Sequence, residues 1–353
     1  MSAPAPERDL LPGPLPGGGH RRWRRILIGA GVAALLLVSV AVVTGSLIAR
    51  RFDHAVSRAT LLEPGTRVQT PPVAAHAPVA GPLNFLLLGS DYRVEDPSNG
   101  QRSDTIIVAH VTRDKDHVYL VSIPRDLLVH IPAVPDLDFP GDYTKINAAF
   151  QFGHGGAGGS RLVSATVTSL TGVHFDGAVA LDFSGLLRVV DLLGGVTICV
   201  DTPVVSIHTG RVFDVGCQRM SSADVLDYLR QRDFPDGDFT RQRHQQHFLK
   251  SVLDEVLAAG TLTNPVRLDT LLQAVAGAMT LDLGTITLPD LIFALSGLRS
   301  DDLIGLRVPS YVQMIGDTSY VIADDGAAGL WRALRDDSLA GWAAANPDWV
   351  NKI

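Results

Sequence analysis

The chain has 353 residues, 46% of them hydrophobic and 19% charged, with a formal net charge of −7. That composition excludes a chain disordered throughout and leaves room for one large domain or two smaller ones. The charge is uneven: residues 1–51 hold seven arginines against two carboxylates, a net of +5, which leaves −12 for the remainder, so the basic end and the acidic body serve different purposes.

Residues 1–25, rich in Pro and Gly and ending in Arg21, Arg22, Arg24 and Arg25, are expected to be a disordered basic cytoplasmic tail. Residues 26–49 contain no charged side chain. They exceed the roughly 20 residues that a helix needs to cross a bilayer, so one transmembrane helix is expected here. The arginine cluster before it puts the N-terminus in the cytoplasm and the body outside, in a single-pass protein of the cell membrane. A cleaved signal peptide is the plainer alternative, but the run is longer than an ordinary signal core and no clear A-x-A site follows. Residues 50–82, with much Pro, Ala and Thr, read as a stalk. The only cysteines, Cys199 and Cys217, lie beyond the membrane segment, where a disulfide is permitted. A structural bridge is expected, with two buried thiols as the alternative. No Cys or His cluster offers four zinc ligands.

The folded body is expected to begin near Leu83. Asn84–Leu88, Thr105–Thr112 and Val118–Ile123 are short apolar runs bounded by Gly, Asp, Asn and Pro, as core strands are. Helix patterns follow at Ile146–Phe152, Arg161–Leu170 and Phe183–Leu193, with a strand at Ala178–Leu181. The last two helices end at Gly172 and Gly194. Ser221–Arg230 and Phe239–Ala259 read as further helices, with Asp238 as N-cap of the second. In the remainder, helices are expected at Leu268–Thr280, Leu288–Leu298 and Asp325–Arg335, and strands at Leu303–Val308 and Ser319–Ile322. This is an α/β pattern with a layered sheet. The body divides into 83–260 and an extension, 261–353, packed on the same domain. No internal repeat is evident.

Asp91 and Asp104 stand at the mouths of the first two strands, and a hairpin between them would make the two carboxylates converge. Paired carboxylates are a usual holder of Mg²⁺, which takes its remaining oxygens from water and substrate phosphate. Ordinary turn chemistry is the alternative. Arg93 and Arg102 flank these carboxylates, and Arg125 follows the third strand, where Asp126 can pair with an arginine. Guanidinium forks match phosphate oxygens and neutralise charge developing on a transferring phosphoryl group. Singly, each could be a surface salt bridge. Lys145 is expected in the first turn of a helix, where a bound anion would rationalise a cation otherwise opposed to the helix dipole. A solvated lysine is the alternative. Arg230 and Arg232 leave one helix, and Arg241 and Gln245 share a face of the next. The glycines at 153, 155, 156, 158 and 159 lack the Lys-Ser/Thr of a P-loop and read as a flexible loop. His244 and His247 read as surface polar residues. Neither G-x-S-x-G nor H-E-x-x-H occurs, so serine hydrolase and zinc protease readings have no support.

The segments GSDYR, RSDTI, VSIPRD, KINAAF, LGGV at 193–196, YLRQRD and DFTRQRHQQ occur in this order. Through them the chain resembles the LytR-CpsA-Psr family of bacterial cell-wall glycopolymer ligases, from about Leu83 to Ala259. The remaining tail is similar to the extension of actinobacterial members. The resemblance implies an α/β/α domain with a central mixed sheet. It implies an Mg²⁺-dependent phosphotransferase, with Mn²⁺ able to substitute and with a pyrophosphatase side activity. The donor would be a polyprenyl-pyrophosphate-linked glycopolymer in the membrane lipid, a teichoic acid or arabinogalactan, and the acceptor a peptidoglycan hydroxyl. By motif position, Asp91 and Asp104 would hold the metal. Arg93, Arg102, Arg125, Lys145, Arg230, Arg232, Arg241 and Gln245 would line the pyrophosphate. Asp91, Asp104, Arg102, Arg125, Asp238 and Arg241 would carry the chemistry, with Asp238 orienting or activating. One departure stands out: His244 occupies the second basic position of the family's D-x-x-R-x-x-R-Q-Q pattern, with Arg243 beside it.

Apolar helix faces such as Val163, Val167 and Leu170, or Leu186, Leu187 and Val190, could line a lipid tunnel or be ordinary core. Two other function classes compete. A non-enzymatic binder of polyprenyl-pyrophosphate lipids or wall glycans would tolerate loss of Asp104 better than an enzyme. A membrane-tethered transcriptional regulator is disfavoured, because the only strongly basic segment is short and juxtamembrane and no nucleic-acid partner is indicated.

Overall fold

The computed structural model describes residues 51–52, 54–69, 79–90, 103–231, 234, 238–258 and 264–351, and of Ser90, Asp104, Phe183, Ser184, Leu257 and Ala258 only the main chain. The run 26–49 lies outside them, and among the described residues no helix is long and apolar enough to cross a membrane.

Among the described residues, β1 (Ser57–Arg58) is followed by three longer strands, β2 (Leu83–Ser90), β3 (Ser103–Val111) and β4 (Val118–Ile123). A hairpin of β5 (Leu128–Ile131) and β6 (Asp142–Lys145) leads to helices α1 (Ala148–Phe152) and α2 (Gly156–Thr171). Strand β7 (Gly177–Asp182) and helix α3 (Phe183–Leu193) come next. They are followed by the short strands β8 (Val196–Val200), β9 (Val204–Val205), β10 (Val212–Phe213) and β11 (Gly216–Met220). Helices α4 (Ser222–Leu229), α5 (Asp238–Ala258) and α6 (Pro265–Gly277) then return the chain to β12 (Met279–Asp282). The rest is α7 (Leu288–Leu295), β13 (Leu303–Arg307), β14 (Ser310–Ile315), β15 (Thr318–Ala323), α8 (Gly326–Arg335), α9 (Leu339–Ala345) and β16 (Val350–Asn351).

Among the described residues the central sheet has eight strands in the order β1-β12-β7-β2-β3-β4-β13-β16. It is mixed: β2 runs parallel to β7, and β4 to β13, while β3 is antiparallel to both of its neighbours. Both faces are covered, which explains why its strands read as continuous apolar runs. Leu86, Leu88, Ile106, Val108, Val121 and Ile123 pack with Leu162, Val163 and Val167 of α2 and Leu330, Trp331 and Leu334 of α8. Phe85, Ile107, Ala109 and Leu120 face the other way, toward Ala276 of α6 and the leucines of α7. The result is the expected α/β/α layering. A smaller core joins Val189 and Val190 of α3, Ile198 of β8, Tyr228 of α4 and Phe248 of α5. Val163, Val167 and Val190 are fully buried in these cores, and Leu186 nearly so. In the described structure these faces pack in the cores, with Leu170 and Leu187 partly buried against them.

Several expectations are corrected. The expected stalk, 50–82, is folded over much of its described length. Leu61 and Leu62 are buried, their amides donate to Asp282 at 2.9 and 3.2 Å, and β1 pairs with β12. The glycine-rich run is a packing device: Gly156–Gly159 begins α2, and a Cβ on Gly153 would lie 2.5 Å from the carbonyl oxygen of Gly158. Small residues there let α1 and α2 approach closely. The helix expected over Leu268–Thr280 starts earlier, behind an Asn264 cap, and ends at Gly277, so that Met279 begins an edge-side strand. The extension supplies β12, β13 and β16 to the central sheet and is therefore integral to it.

Cys199 and Cys217 face each other across β8 and β11 and form a disulfide that closes an 18-residue separation. Closing a loop of this size stabilises by about 3 kcal/mol, mainly by restricting the unfolded chain. Cys199→Ser is expected to lower stability by about 2–4 kcal/mol in denaturant unfolding under non-reducing conditions. A change under about 0.5 kcal/mol would contradict this.

His110 of β3 lies 2.8 Å from Asn84 Oδ1 through Nδ1 and 2.9 Å from Asp337 Oδ1 through Nε2. Burial outweighs the attraction of Asp337 and holds its imidazole below the usual value of 6.5. Because the unfolded chain then binds the proton more readily, the stability tied to this histidine is complete above about pH 6.5. It is lost as pH falls from there toward the folded value. Urea midpoints at about pH 8 and about pH 5.5 should therefore differ, with the lower stability in acid, and His110→Gln should shrink the difference. An undiminished difference in that variant would clear His110 of the effect.

Candidate active site

The sheet's directions bring the carboxyl ends of β2, β4, β7 and β13 and the amino ends of β3 and β12 to one edge. Ligands of open α/β sheets bind beyond such carboxyl ends. The segment after β4, Pro124-Arg125-Asp126-Leu127, is a tight turn closed by the Leu127 amide donating to Pro124 O at 3.0 Å. Its outward carbonyls are held as well: Asn147 N–H donates to Arg125 O at 3.1 Å, and Val321 N–H to Asp126 O at 2.9 Å. Three separate segments thus fix one arginine.

From this turn runs a chain of alternating charges. Lys145 Nζ is 3.0 Å from Asp126 Oδ1, and Arg125 Nε is 3.5 Å from Asp126 Oδ2 and 3.6 Å from Asp238 Oδ1. Asp238 also pairs with Arg241 one helical turn along α5 and accepts from Gln242 Nε2 at 3.1 Å. Among the described residues, three cations thus alternate with two carboxylates. The guanidinium of Arg241 is buried, at 4% exposure for the residue. Two carboxylates so occupied hold the cations in place and are poorly disposed to serve as metal ligands or as a base. Asp238 therefore acts here as an organiser of two arginines, and it is the first residue of α5, one position inside the expected cap.

The other expected site residues are distributed as follows. Gln245 is buried on α5. Arg230 forms the C-cap of α4. Lys145 closes a β-strand and does not open a helix: Ile146 N–H donates to Leu127 O at 2.9 Å, which ties the residue after it to the residue just before β5. Asp91, Arg93, Arg102 and Arg232 lie outside the described residues, as does the side chain of Asp104. The main chain does show that Ser90, immediately before Asp91, pairs with Ser103, immediately before Asp104. Among the described residues no group of three metal-ligating side chains occurs.

His244 is not a surface residue, and His247 is half-buried. His244 is 2% exposed and stacks on Tyr228 with ring centroids 4.3 Å apart, with Phe234 edge-on at 5.2 Å. Burial pushes the Tyr228 phenol well above its usual value and holds the His247 imidazole below its own. Arg243, one position before His244, pairs with Asp201 at 3.0 Å, at the end of β8. The sequence pattern gave no sign of this aromatic stack, because Tyr228 and His244 come from different helices. It also missed Gln246, whose amide crosses the sheet edge.

A family model described as LytR_cpsA_psr matches residues 50–335. The chain belongs to the LytR-CpsA-Psr family. The match begins well before Leu83, in keeping with the folded segment around β1. Among curated relatives, the cell wall biosynthesis protein LcpA of Corynebacterium glutamicum is 29% identical over 79% of this chain and 59% of its own length. The probable cell wall biosynthesis protein LcpB of the same organism is 30% identical over 77% of this chain and 63% of its own. This chain thus spans about three-fifths of the length of these relatives. A polyisoprenyl-teichoic acid–peptidoglycan teichoic acid transferase, TagU of Enterococcus faecalis, is 30% identical over 57% of this chain and 62% of its own. Among solved structures, gbs0355 from Streptococcus agalactiae superposes with a TM-score of 0.61 at 23% identity, covering 73% of this chain and 88% of its own. One described as TagT bound to LI-WTA gives 0.60 at 21% identity, covering 80% and 98%. These likenesses establish the fold of the LytR-CpsA-Psr domain.

Proposed function

We propose that this LytR-CpsA-Psr protein transfers a phosphoglycosyl polymer from a polyprenyl-pyrophosphate carrier to a peptidoglycan hydroxyl. The observation that carries the reading is the fixed chain Lys145–Asp126–Arg125–Asp238–Arg241 at the carboxyl edge of the sheet. In the transfer, the acceptor oxygen forms a bond to the phosphorus next to the glycan. The bridging P–O bond breaks, polyprenyl phosphate leaves with the bonding electrons, and the hydroxyl proton passes to water. Such a step asks chiefly for positioning and for neutralisation of charge on the equatorial oxygens. Arg125 and Arg241 supply forked donors, and Lys145 supplies a point charge. An apolar cavity of about 430 Å³, lined by Leu61, Phe150, Ala157, Leu181 and Met279 among others, is suited to the first part of the lipid chain.

Mg²⁺ is part of the proposal. The carboxylates at 126 and 238 are committed to cations, so the hard oxygen ligands would come from Asp91 and Asp104, and the Ser90–Ser103 pairing is compatible with their convergence. When bound, the metal would neutralise phosphate charge. The charge-free run 26–49 is proposed as the anchor that keeps the enzyme beside its lipid donor, with the domain outside the cell. The Cys199–Cys217 disulfide supports an oxidising surrounding. The test is full-length protein with a polyprenyl-pyrophosphate glycan and peptidoglycan, with and without Mg²⁺. Transfer that needs the metal is expected, and normal binding of the donor without transfer or cleavage would reduce the protein to a binder.

A further inference from the structure

Beside the charged chain, β5 and β15 meet: Leu127, just before β5, forms a parallel bridge with Val321 of β15. With β6 paired to β5 and β14 to β15, these strands make a small layer in the order β6-β5-β15-β14. Register assigns its two faces. Leu127, Val129, Ile131 and Val321 are buried against the core. The opposite face carries Lys145 across from Leu128, Tyr143 across from His130, Gln313 across from Tyr320, and Tyr311 across from Ile322. Tyr143 and Tyr311 are 64% and 51% exposed. Lys145 Nζ lies 5.5 Å from the Tyr320 ring centroid and 3.0 Å from Asp126, so this outer face runs directly into the charged chain.

The chemistry of the face selects its occupant. Tyrosines present an apolar ring for stacking together with a hydroxyl for hydrogen bonding, and an amide and an imidazole lie among them. Residues 310–323 carry one charge, Asp317, which is negative. The hairpin therefore offers no cation to an anionic lipid surface. Its outer face, which includes the exposed Ile315, combines tyrosine rings with a few aliphatic side chains, as suits the alternating polar and apolar faces of a neutral sugar chain. Val312 and Met314, exposed as well, belong by register to the opposite face.

We infer that this outer face is the docking surface for the acceptor glycan, whose sugar rings lie on Tyr143, Tyr311 and Tyr320 and whose hydroxyl is thereby directed toward Lys145 and Arg125. The role as acceptor rests on the proposed transferase reading; the glycan contact does not. Full-length protein in detergent micelles is titrated with soluble, uncross-linked peptidoglycan glycan chains, and transfer is measured against the same chains. In the double variant Tyr143→Ala/Tyr311→Ala, glycan affinity should weaken and the acceptor KM rise by roughly tenfold or more, a loss of about 1.4 kcal/mol. Donor cleavage without acceptor should stay within about twofold, and Tyr→Phe at both positions should remain close to the unaltered protein because the stacking ring is kept. Unchanged glycan affinity and KM overturn the inference. So does loss of co-sedimentation with phosphatidylglycerol/phosphatidylcholine vesicles while glycan binding persists, which would make the face a membrane contact. If the unaltered protein binds glycan through these tyrosines but transfers nothing, the surface stands and the transferase reading falls. If it binds no glycan at all, the surface falls.

Discussion

Arg125→Ala is expected to lower the transfer rate by about two to three orders of magnitude while leaving the fold intact. One well-placed donor to a developing oxyanion is worth about that much. Arg125 is suited to the test because its side chain is 18% exposed and its main chain is held by contacts that the substitution does not touch. Arg125→Lys should recover only part of the loss, since an ammonium keeps the charge but cannot donate bidentately. Arg241→Ala should cost at least as much activity and should lower stability as well. It removes a buried cation and leaves Asp238 with Arg125 at 3.6 Å and the Gln242 amide. Single-turnover transfer with saturating donor reads the first effect, and thermal unfolding the second. A kcat for Arg125→Ala within about threefold of the unaltered protein would remove this arginine from the reaction.

Local patterning revealed those elements whose partners lie close in sequence. Strands β2 to β4 follow one another as antiparallel neighbours, and their apolar runs are bounded by turn residues, so they were legible. Helix α3 was legible end to end because Gly194 stops it with a positive φ of 73°. Ser221 was visible as the start of α4, where it forms a capping box with Asp224. Elements completed by distant segments were not legible. Strand β1 is two residues long and exists because β12 offers it an edge more than 200 positions later. Strands β8 to β11 are short, polar on one side and held by a disulfide, so they carry too little period-two signal to stand out.

The site follows the same division. Arg125, Lys145, Asp238 and Arg241 are legible as cationic or carboxylate groups at element ends, and the fold joins all four in one chain, with Asp126 linking Lys145 to Arg125 and Asp238 linking Arg125 to Arg241. The pairing of Asp126 with an arginine was readable because the residues are adjacent. That Lys145 shares the same carboxylate depends on the β5–β6 register, which aligns Lys145 with Leu128. His244 is illegible for a comparable reason: its polarity suggests the surface, but the flat face of an imidazole can stack on an aromatic ring such as that of Tyr228, which comes from another helix.

Gln246→Ala is expected to destabilise the domain by about 2–4 kcal/mol, the cost of leaving several buried polar groups without partners. The side chain is fully buried. Its Nε2 lies 2.9 Å from Leu120 O, 2.7 Å from Ser122 Oγ and 3.1 Å from Leu306 O, and its Oε1 accepts from Asn351 Nδ2 at 2.8 Å. One amide on α5 therefore bridges β4, β13 and β16. Gly305 leaves the space for it, since a Cβ there would collide with Gln246 Oε1. Gln246→Leu should fare no better, because an apolar side chain fills the volume but strands the same carbonyls and the Asn351 amide. Thermal unfolding should show a Tm lower by roughly 5–10 °C. Adding Asn351→Ala to Gln246→Ala should cost less than the two single losses together, since both belong to one network. A Tm shift below about 2 °C would mean that water or a rearranged helix satisfies these groups. A shift of the expected size accompanied by reduced transfer would show that the same amide aims Arg241, five positions earlier on α5, toward the strand ends.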